Sequence, residues 1–437
     1  MNNKKLSHTF TIGFALFAMF FGAGNLLLPP FIGVLVGNEF LVAIIAFGLT
    51  GILLPFTGIL AVTKFGDSFD DLGAIINTKL TKVIGTIIMI CIGPLIAIPR
   101  TAAVTYEVGI KTFFPDLSAL IPCFLFFVIT VVLSIRPSKI VDVIGNYLTP
   151  ILLLLLAILI VLGIVNPQDV TQQTEKNMFD AFAFAFTEGY QTLDVLASVI
   201  FAGIIIQAAK AKGYSDKKSK TQVVILSGFI SSISLLFVYG GLIYLGASSG
   251  VTDPSISRAE LLITISTNIL GEHGLIAIAV AMAFACLTTA IALTSAVASF
   301  FSNLTNGQLK YEVLVFLCSL FSFFLSIYGV DTIINFAYPP LAFVYPITIT
   351  LILYALFFGN TIKVKQAYIG AIFAAAIIAT LMVIKIIFEM NGLNYPTFNL
   401  YLDKIPLFGY GMGWFLPSII GFVLGYFIGK KEQAIIQ

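Results

Sequence analysis

Residues 10–37 form an uncharged apolar stretch that is long enough to cross a bilayer, and it is interrupted near its middle. Gly22 and Gly24 lie in the sequence GAGN, and Pro29 and Pro30 follow shortly after. A membrane helix satisfies its own backbone hydrogen bonds, so such residues are tolerated only where the freed groups meet protein, water or a ligand. The stretch therefore predicts a broken membrane helix, and in secondary transporters such breaks bind substrate and coupling ion.

The composition indicates that the rest of the chain is also embedded in a lipid membrane. Of the 437 residues, 59% are hydrophobic and 10% are charged, and the mean hydropathy is +1.04. One soluble core could not bury that much apolar surface. Cys91, Cys123, Cys286 and Cys318 fall in apolar segments without CxxC spacing, so we interpret them as packing residues rather than disulfide or metal ligands.

Hydropathy over a window of about 20 residues predicts twelve membrane spans. Their connections are short, so no soluble domain is expected. The apolar pattern AELLITISTNIL, between the seventh and eighth spans, predicts a short helix over 259–270. The predicted spans cover 9–36, 39–63, 83–109, 117–135, 140–165, 187–209, 222–246, 274–301, 311–328, 332–358, 366–388 and 413–429.

The Lys and Arg residues are distributed unevenly between the two ends of these spans. If the N-terminus is inside, seventeen of them fall in inner segments and four in outer segments. Because positively charged loops stay cytoplasmic, both termini are predicted to be cytoplasmic. The same alternation supports an even number of spans.

Topology and breaks together predict an inverted repeat. Spans six to ten cross the membrane in the opposite direction to spans one to five. If the two sets are inverted repeats, the sixth span corresponds to the first and should also be broken. TEGYQTLD (187–194) places a glycine, two acids and a glutamine in the outer half of that span. The predicted fold is an all-α integral membrane protein with one five-helix repeat over 1–165, a second over 187–358, and two additional transmembrane helices over 366–429.

Four segments, in order along the chain, resemble signatures of the bacterial branched-chain amino acid:cation symporter family, the BrnQ-type carriers. The resemblance implies a bacterial cytoplasmic-membrane protein that imports leucine, isoleucine and valine by alternating access, driven usually by sodium. It also implies the leucine-transporter fold of the amino acid, polyamine and organocation superfamily, with five plus five inverted spans and two more. The segments are FAMFFGAGNLLLPPFIG (17–33), IGPLIAIPRTAAVTYE (92–107), EGYQTLDVLASVIFAG (188–203) and ACLTTAIALT (285–294).

The broken spans predict how an amino acid would be held. A carboxylate stripped of water at mid-membrane needs donors to offset a cost of several kcal/mol. If the first span unwinds at Gly22 to Gly24, the amides of Ala23, Gly24 and Asn25 open its second half and point the positive helix end at that anion. Carbonyls of the broken sixth span would bind the ammonium group, without an intramembrane carboxylate. Alternatively, the glycines only permit close helix packing. The predicted substrate-binding residues are Gly22, Ala23, Gly24, Asn25, Gly189, Tyr190, Gln191 and Thr192.

The resemblance also implies a sodium site between the first and eighth spans. Its ligands would be the carbonyls of Ala18, Phe21 and Ala285 with the hydroxyls of Thr288 and Thr289. Neutral oxygens suffice for a hard cation. Alternatively, both threonines bond to the carbonyl one turn back in their own helix. Apart from sodium as coupling ion, no cofactor is expected.

Four further residues are candidates for gating or coupling: Arg100, Tyr106, Glu188 and Asp194. A charge within a span should face protein or water and find an anion, so Arg100 needs a partner. Glu107, Glu188 and Asp194 are the candidates, and the last two could also touch substrate or ion. Tyr106 either lines the same route or anchors at the membrane interface. A structural ion pair of Arg100 is the alternative to a gate.

Other classes of function are disfavoured by the sequence. A membrane enzyme needs convergent catalytic groups, and the two histidines, His8 and His273, lie near span ends. A channel would be expected to show a polar stripe or a repeated filter segment, and neither is present. No nucleic acid or obligatory protein partner is indicated. Two alternatives stay open: transport of another neutral amino acid, and proton coupling through Glu188 or Asp194.

Overall fold

The computed structural model describes residues 3–74, 76–135, 146, 149–169, 173, 176–251, 253, 256–393 and 395–436. Within these ranges the chain forms helices and loops and contains no β-strand. Each predicted span contains helix in the part of the chain that is described. Arg136, Lys139 and the predicted beginning of the fifth span at 140 lie outside the described residues.

The helices follow the apolar stretches of the sequence, because a backbone in lipid must satisfy its own hydrogen bonds. The first part of the chain forms α1 (Asn3–Phe20), α2 (Ala23–Val36), α3 (Phe40–Gly48), α4 (Leu54–Phe65), α5 (Phe69–Gly73), α6 (Thr78–Ile90), α7 (Ala97–Val104), α8 (Leu120–Ser134) and α9 (Thr149–Val165). The second part forms α10 (Met178–Glu188), α11 (Asp194–Ala211), α12 (Lys217–Ala247), α13 (Arg258–Leu270), α14 (Glu272–Leu304), α15 (Tyr311–Ser326), α16 (Val330–Phe358), α17 (Lys365–Met390), α18 (Pro396–Leu402) and α19 (Phe415–Ile436).

Seven helical stretches among the described residues are long and apolar enough to cross a membrane. The helices α8, α9 and α15 are apolar but shorter. Large apolar side chains such as Phe124, Val132 and Phe427 are more than half exposed on the outside of the bundle. A surface of this kind is favourable against lipid and not against water.

The chain leaves helical geometry between α1 and α2 and again between α10 and α11. Phe21 and Gly22 are non-helical, and Gly22 is extended with φ −110° and ψ −164°. A 3-10 turn over Gly189–Thr192 follows α10, and Leu193 then adopts a left-handed conformation with φ 69°. A leucine in that conformation is strained by about 1–2 kcal/mol, so the packing around it must enforce the turn.

The helix α10 begins at Met178, whereas the sixth span was predicted to begin at 187. The helix therefore starts before the predicted span, in a segment whose charged residues around 176 and 180 are typical of an outer loop. Asn177 begins the helix by accepting hydrogen bonds from the amides of Phe179 (3.0 Å) and Asp180 (2.9 Å). The short helix predicted over 259–270 is confirmed as α13.

The third predicted span is also interrupted, which the sequence analysis did not anticipate. A π-helical turn over Cys91–Leu95 contains the non-helical Gly93 and then Pro94, which has no amide proton to donate. The short helix α7 follows, and all its residues are buried. The interruption therefore brings Arg100, in α7, into the centre of the protein.

Glycines bring α2 into backbone contact with α12. A Cβ atom on Gly33 would lie 2.0 Å from the carbonyl oxygen of Ile243. A Cβ atom on Gly246 would lie 2.0 Å from the carbonyl oxygen of Pro30. Only glycine permits so close an approach, and small residues are typical of tightly packed membrane helices. The helix α2 is thus packed tightly against α12.

Candidate functional site

A small cavity lies between the two interruptions. Its walls include Phe20, Gly22 and Ala23 from the first interruption and Thr192, Leu193 and Asp194 from the second. Its volume is about 20 Å³, which is room for about one water molecule. The non-helical residues after α1 and the 3-10 turn after α10 therefore lie next to one cavity.

The predicted residues of the first interruption do not all face this cavity. Gly22, Ala23 and Asn25 line it. Gly24 instead lies against Arg100, since a Cβ atom there would be 2.5 Å from the Nη2 atom of the guanidinium. The amides at this end of α2 have no partner within their own helix, so the cavity lies at a positive helix end.

Of the predicted residues in the second interruption, Thr192 lines the cavity, whereas Gly189, Tyr190 and Gln191 are buried behind its wall. The carbonyls of these three residues already have donors, and that of Tyr190 accepts from the Leu193 amide at 3.2 Å. The Gly189 carbonyl accepts from the Thr192 hydroxyl at 2.8 Å. The Gln191 carbonyl accepts from Arg100 at 2.9 Å.

A buried polar bridge joins the two interruptions. Asn25 Nδ2 donates to Asp194 Oδ2 at 2.6 Å and also to the hydroxyl of Tyr239 in α12. The Tyr239 hydroxyl donates to the same carboxylate oxygen at 3.2 Å. Asn25 in turn accepts from the Gly22 amide at 3.3 Å. Asp194 thus belongs to the site, and Tyr239, a polar side chain within an apolar span, is a component that the sequence analysis missed.

Arg100 lines the cavity with a side chain that is only partly hydrogen-bonded. It is 2% exposed, and its Nη2 donates to the Gln191 carbonyl, while Nε and Nη1 have no hydrogen-bond partner in the part of the chain that the structure describes. None of the ion pairs among the described residues includes Arg100. Of its candidate partners, Glu107 accepts instead from the Val330 amide at 2.9 Å.

Glu188 lies outside the cavity, on the side away from the N-terminus. There it faces Arg258, whose Nη2 is 3.9 Å from Glu188 Oε2 and whose Nη1 is 3.6 Å from Asp331 Oδ1. The same guanidinium lies 4.3 Å from the ring centroid of Phe31 in α2. Arg258 therefore joins α2, α10, α13 and α16. Tyr106 does not line the cavity, and its hydroxyl donates to a backbone carbonyl at 2.6 Å.

Five uncharged oxygens converge where α14 meets the end of α1. The Thr288 hydroxyl lies 3.3 Å from the Ala18 carbonyl oxygen and 3.0 Å from that of Ala285. The Thr289 hydroxyl lies 3.3 Å from the Ala18 carbonyl oxygen and 3.4 Å from that of Phe21. These separations exceed the usual hydroxyl hydrogen bond of about 2.7–2.8 Å. Both hydroxyls reach another helix, and oxygens arranged in this way can coordinate a hard cation.

A second, larger cavity of about 750 Å³ lies on the N-terminal side of the first. Its walls include Asp70, Lys82, Ser299 and Asn303. Met19 is 1% exposed and lines both cavities, so its side chain lies between them. Met19 therefore separates the two cavities on this side, and the Arg258 contacts lie on the other side of the small cavity.

Asp67, in the loop between α4 and α5, lines the larger cavity and pairs with Lys210 and Lys220. Hydrogen bonds from Lys210 and then Lys220 lower the pKa of the Asp67 carboxyl from 3.8. A carboxyl whose pKa is lowered by folding stabilises the folded protein at any pH above its ordinary pKa. This stabilisation is lost as the pH falls through the lower pKa of the folded state. The Asp67 carboxylate thus stays charged at neutral pH.

Comparison with known sequences gives matches over nearly the whole chain. A model of the family described as "Branched-chain amino acid transport protein" matches residues 5–432. The branched-chain amino acid permease BraB of Bacillus subtilis (strain 168) is 35% identical over 436 residues, which cover 97% of this chain and 97% of the relative. The branched-chain amino acid permease BrnQ of the same strain is 34% identical over 443 residues, which cover 98% of each.

Comparison with solved structures identifies a similar fold. Mhp1, a nucleobase-cation-symport-1 family transporter in a closed conformation with bromovinylhydantoin bound, gives a TM-score of 0.63. The match covers 97% of this chain and 93% of Mhp1, with 14% sequence identity. At this identity the likeness shows a shared transporter fold.

Proposed function

Because the chain belongs to the branched-chain amino acid transport family, and is thus a multi-pass membrane transporter rather than an enzyme, we propose that it imports leucine, isoleucine and valine together with sodium by alternating access. It would do so in a bacterial cytoplasmic membrane, with both termini in the cytoplasm. The names of BraB and BrnQ support the substrate class, and the uneven distribution of Lys and Arg supports the orientation.

The proposed architecture is leucine-transporter-like, with twelve membrane helices. In it, α1 with α2 and α10 with α11 are single spans broken at mid-membrane, and two inverted repeats run from α1 to α9 and from α10 to α16. The helices α17 and α19 are the two additional spans. The fold shared with Mhp1 supports this arrangement.

The observation that carries the proposal is the cavity between the two breaks. Its apolar walls include Ile92, Phe201 and Leu293, which suit a branched aliphatic side chain. One methylene in such a pocket is worth only about 1–3 kcal/mol, so broad preference among the three amino acids is expected. A volume of about 20 Å³ is too small for an amino acid, so the site must expand to bind its cargo.

Sodium is proposed to bind among the oxygens around Thr288 and Thr289. Two of the carbonyls there, those of Ala18 and Phe21, belong to the end of α1 at the break. A cation at this place would fasten α1 to α14 next to the substrate cavity. Ion and substrate would thereby favour the same conformation, which is what coupling requires.

Uptake of radiolabelled leucine into proteoliposomes tests the proposal. We expect accumulation under an inward sodium gradient, none with choline in place of sodium, and competition by isoleucine and valine but not by lysine or glutamate. Uptake that ignores sodium and follows a pH gradient would replace sodium with a proton. Uptake of another amino acid with no leucine transport would overturn the substrate assignment.

The Arg258 contacts are expected to bias the protein toward the inward-facing conformation. The side chains of Arg258 and Glu188 are 19% and 17% exposed, so the pair is worth on the order of 1 kcal/mol. Arg258→Gln should therefore shift the conformational equilibrium by up to about fivefold toward the outward-open form.

The shift can be measured with Ser299→Cys, at an exposed position in the larger cavity. A membrane-impermeant thiol reagent applied from the cytoplasmic side should label this cysteine more slowly when Arg258 is replaced. The matched control is Lys404→Gln. Lys404 is a cation that lies 5.0 Å from the ring centroid of Tyr401 and takes no part in the Arg258 contacts. Equal labelling rates in all three backgrounds would contradict the assignment of a closing role to Arg258.

A further inference from the structure

The guanidinium of Arg100 has hydrogen-bonding capacity that the described protein atoms do not use. Nε and Nη1 have no partner although the side chain is 2% exposed. Buried polar groups are nearly always hydrogen-bonded, and an unpaired buried charge is more costly still. Because Arg100 lines the small cavity, a group that enters the cavity is the natural acceptor for these donors.

Arg100 and the N-terminus of α2 give this wall of the small cavity a positive charge, which favours binding of an anion. Arg100 lies directly against Gly24, in the first turn of α2. A helix N-terminus carries a partial positive charge, so the guanidinium and the helix end present the same sign to the cavity. Two positive groups in a low-dielectric site repel each other unless a negative group lies between them. A carboxylate would satisfy both.

Asp194 supplies the opposite charge elsewhere on the same cavity wall. It is 2% exposed, and its Oδ2 is held by Asn25 and Tyr239. It makes no ion pair with Arg100, and both side chains line the cavity. The carbonyls that the sequence suggested for an ammonium group are partly occupied, because that of Gln191 already accepts from Arg100.

From this arrangement we infer that Arg100 binds the α-carboxylate of the transported amino acid and Asp194 binds its α-ammonium group. The inference rests on the proposed function and specifies which side chains recognise the head group. One guanidinium and one carboxylate, held apart on a cavity wall, match a zwitterion in charge and exclude molecules that carry only one of the two charges. The backbone amides of α2 assist Arg100, and the apolar walls hold the side chain.

The test crosses substrate analogues with substitutions. Leucinol lacks the carboxylate of leucine, and 4-methylpentanoate lacks its ammonium group. Binding of each is measured by competition against radiolabelled leucine and by ligand-induced thermal stabilisation of the purified full-length protein in detergent. We expect the wild-type protein to prefer leucine to either analogue by on the order of 100-fold or more.

Arg100→Gln should reduce the preference for leucine over leucinol to within about fivefold, while the preference over 4-methylpentanoate stays. Asp194→Asn should produce the reverse pattern. Arg100→Lys keeps the charge and should retain most of the leucine preference. Arg258→Gln, which replaces an arginine outside the cavity, should leave both preference ratios at wild-type values.

Affinities that fall equally for leucine and its analogues, with both ratios unchanged, would show that Arg100 and Asp194 only support the fold and would overturn the inference. Wild-type protein that binds leucinol as tightly as leucine would overturn it even if the variants do not fold. A wild-type protein that does not bind leucine at all would instead overturn the proposed function.

Discussion

Replacing Thr289 with valine is expected to abolish sodium-driven leucine accumulation at ordinary sodium concentrations. Valine has nearly the shape of threonine and removes only the hydroxyl, which lies 3.3 Å from the Ala18 carbonyl oxygen and 3.4 Å from that of Phe21. Loss of one oxygen to a charged ligand costs about 1.5–3 kcal/mol, so the sodium concentration for half-maximal uptake should rise about 10- to 100-fold. Initial rates of uptake into proteoliposomes over a sodium series measure this.

Thr294→Val is the matched control for this experiment. Thr294 is a fully buried threonine in the same helix, and its hydroxyl has no hydrogen-bond partner among the described residues. It should leave the sodium dependence unchanged, and Thr289→Ser, which restores the hydroxyl, should recover most of the activity. If Thr289→Val shifts the leucine affinity while the sodium dependence stays as in the wild type, the threonine pair is not an ion site.

Gly24→Ala is expected to lower leucine transport about 10- to 100-fold without unfolding the protein. The added Cβ atom would lie 2.5 Å from Nη2 and 3.0 Å from Cζ of Arg100, and 3.2 Å from the Gln191 carbonyl oxygen. Forcing a methyl group into a packed site costs about 1–3 kcal/mol, and here the arginine must move. Leucine affinity, from competition binding, should therefore weaken more than the melting temperature changes.

Gly48→Ala serves as the control for Gly24→Ala. Gly48 also lies in a helix, and a Cβ atom there would meet only a leucine methyl at 4.0 Å. Alanine is a better helix former than glycine, so this variant should be neutral or slightly stabilising. Transport by Gly24→Ala at the wild-type level would show that Arg100 can be displaced without consequence.

Places where α-helical geometry changes can be predicted from the sequence because their causes are local. Glycine and proline disturb a helix wherever they occur, and α-helical geometry is lost within both GAGN and TEGYQTLD. That these are two membrane spans broken at mid-membrane stays a prediction. The start of α10 at Met178 could not be predicted in the same way. Its charged residues are typical of an outer loop, and only the cap at Asn177 indicates a helix start.

The partners of the polar side chains were beyond sequence reasoning because they depend on contacts between distant segments. Asn25 and Asp194 were identified separately, but their hydrogen bond joins residues from different halves of the chain. Tyr239 and Arg258 carry no local motif that marks them. The unpaired state of Arg100 likewise follows from the shape of the cavity and from the use of Glu107 and Glu188 elsewhere.

In the proposed orientation, with both termini in the cytoplasm, the broad chamber beyond Met19 exposes the protein to blockade from within the cell. At about 750 Å³ it accommodates molecules much bulkier than leucine, between α1, α11 and α14. A rigid compound lodged there would hold those helices apart and stop the proposed transport cycle, whatever the leucine concentration in the medium. Inhibitors of this carrier therefore need not imitate an amino acid, and resistance would arise first among the residues that line the chamber.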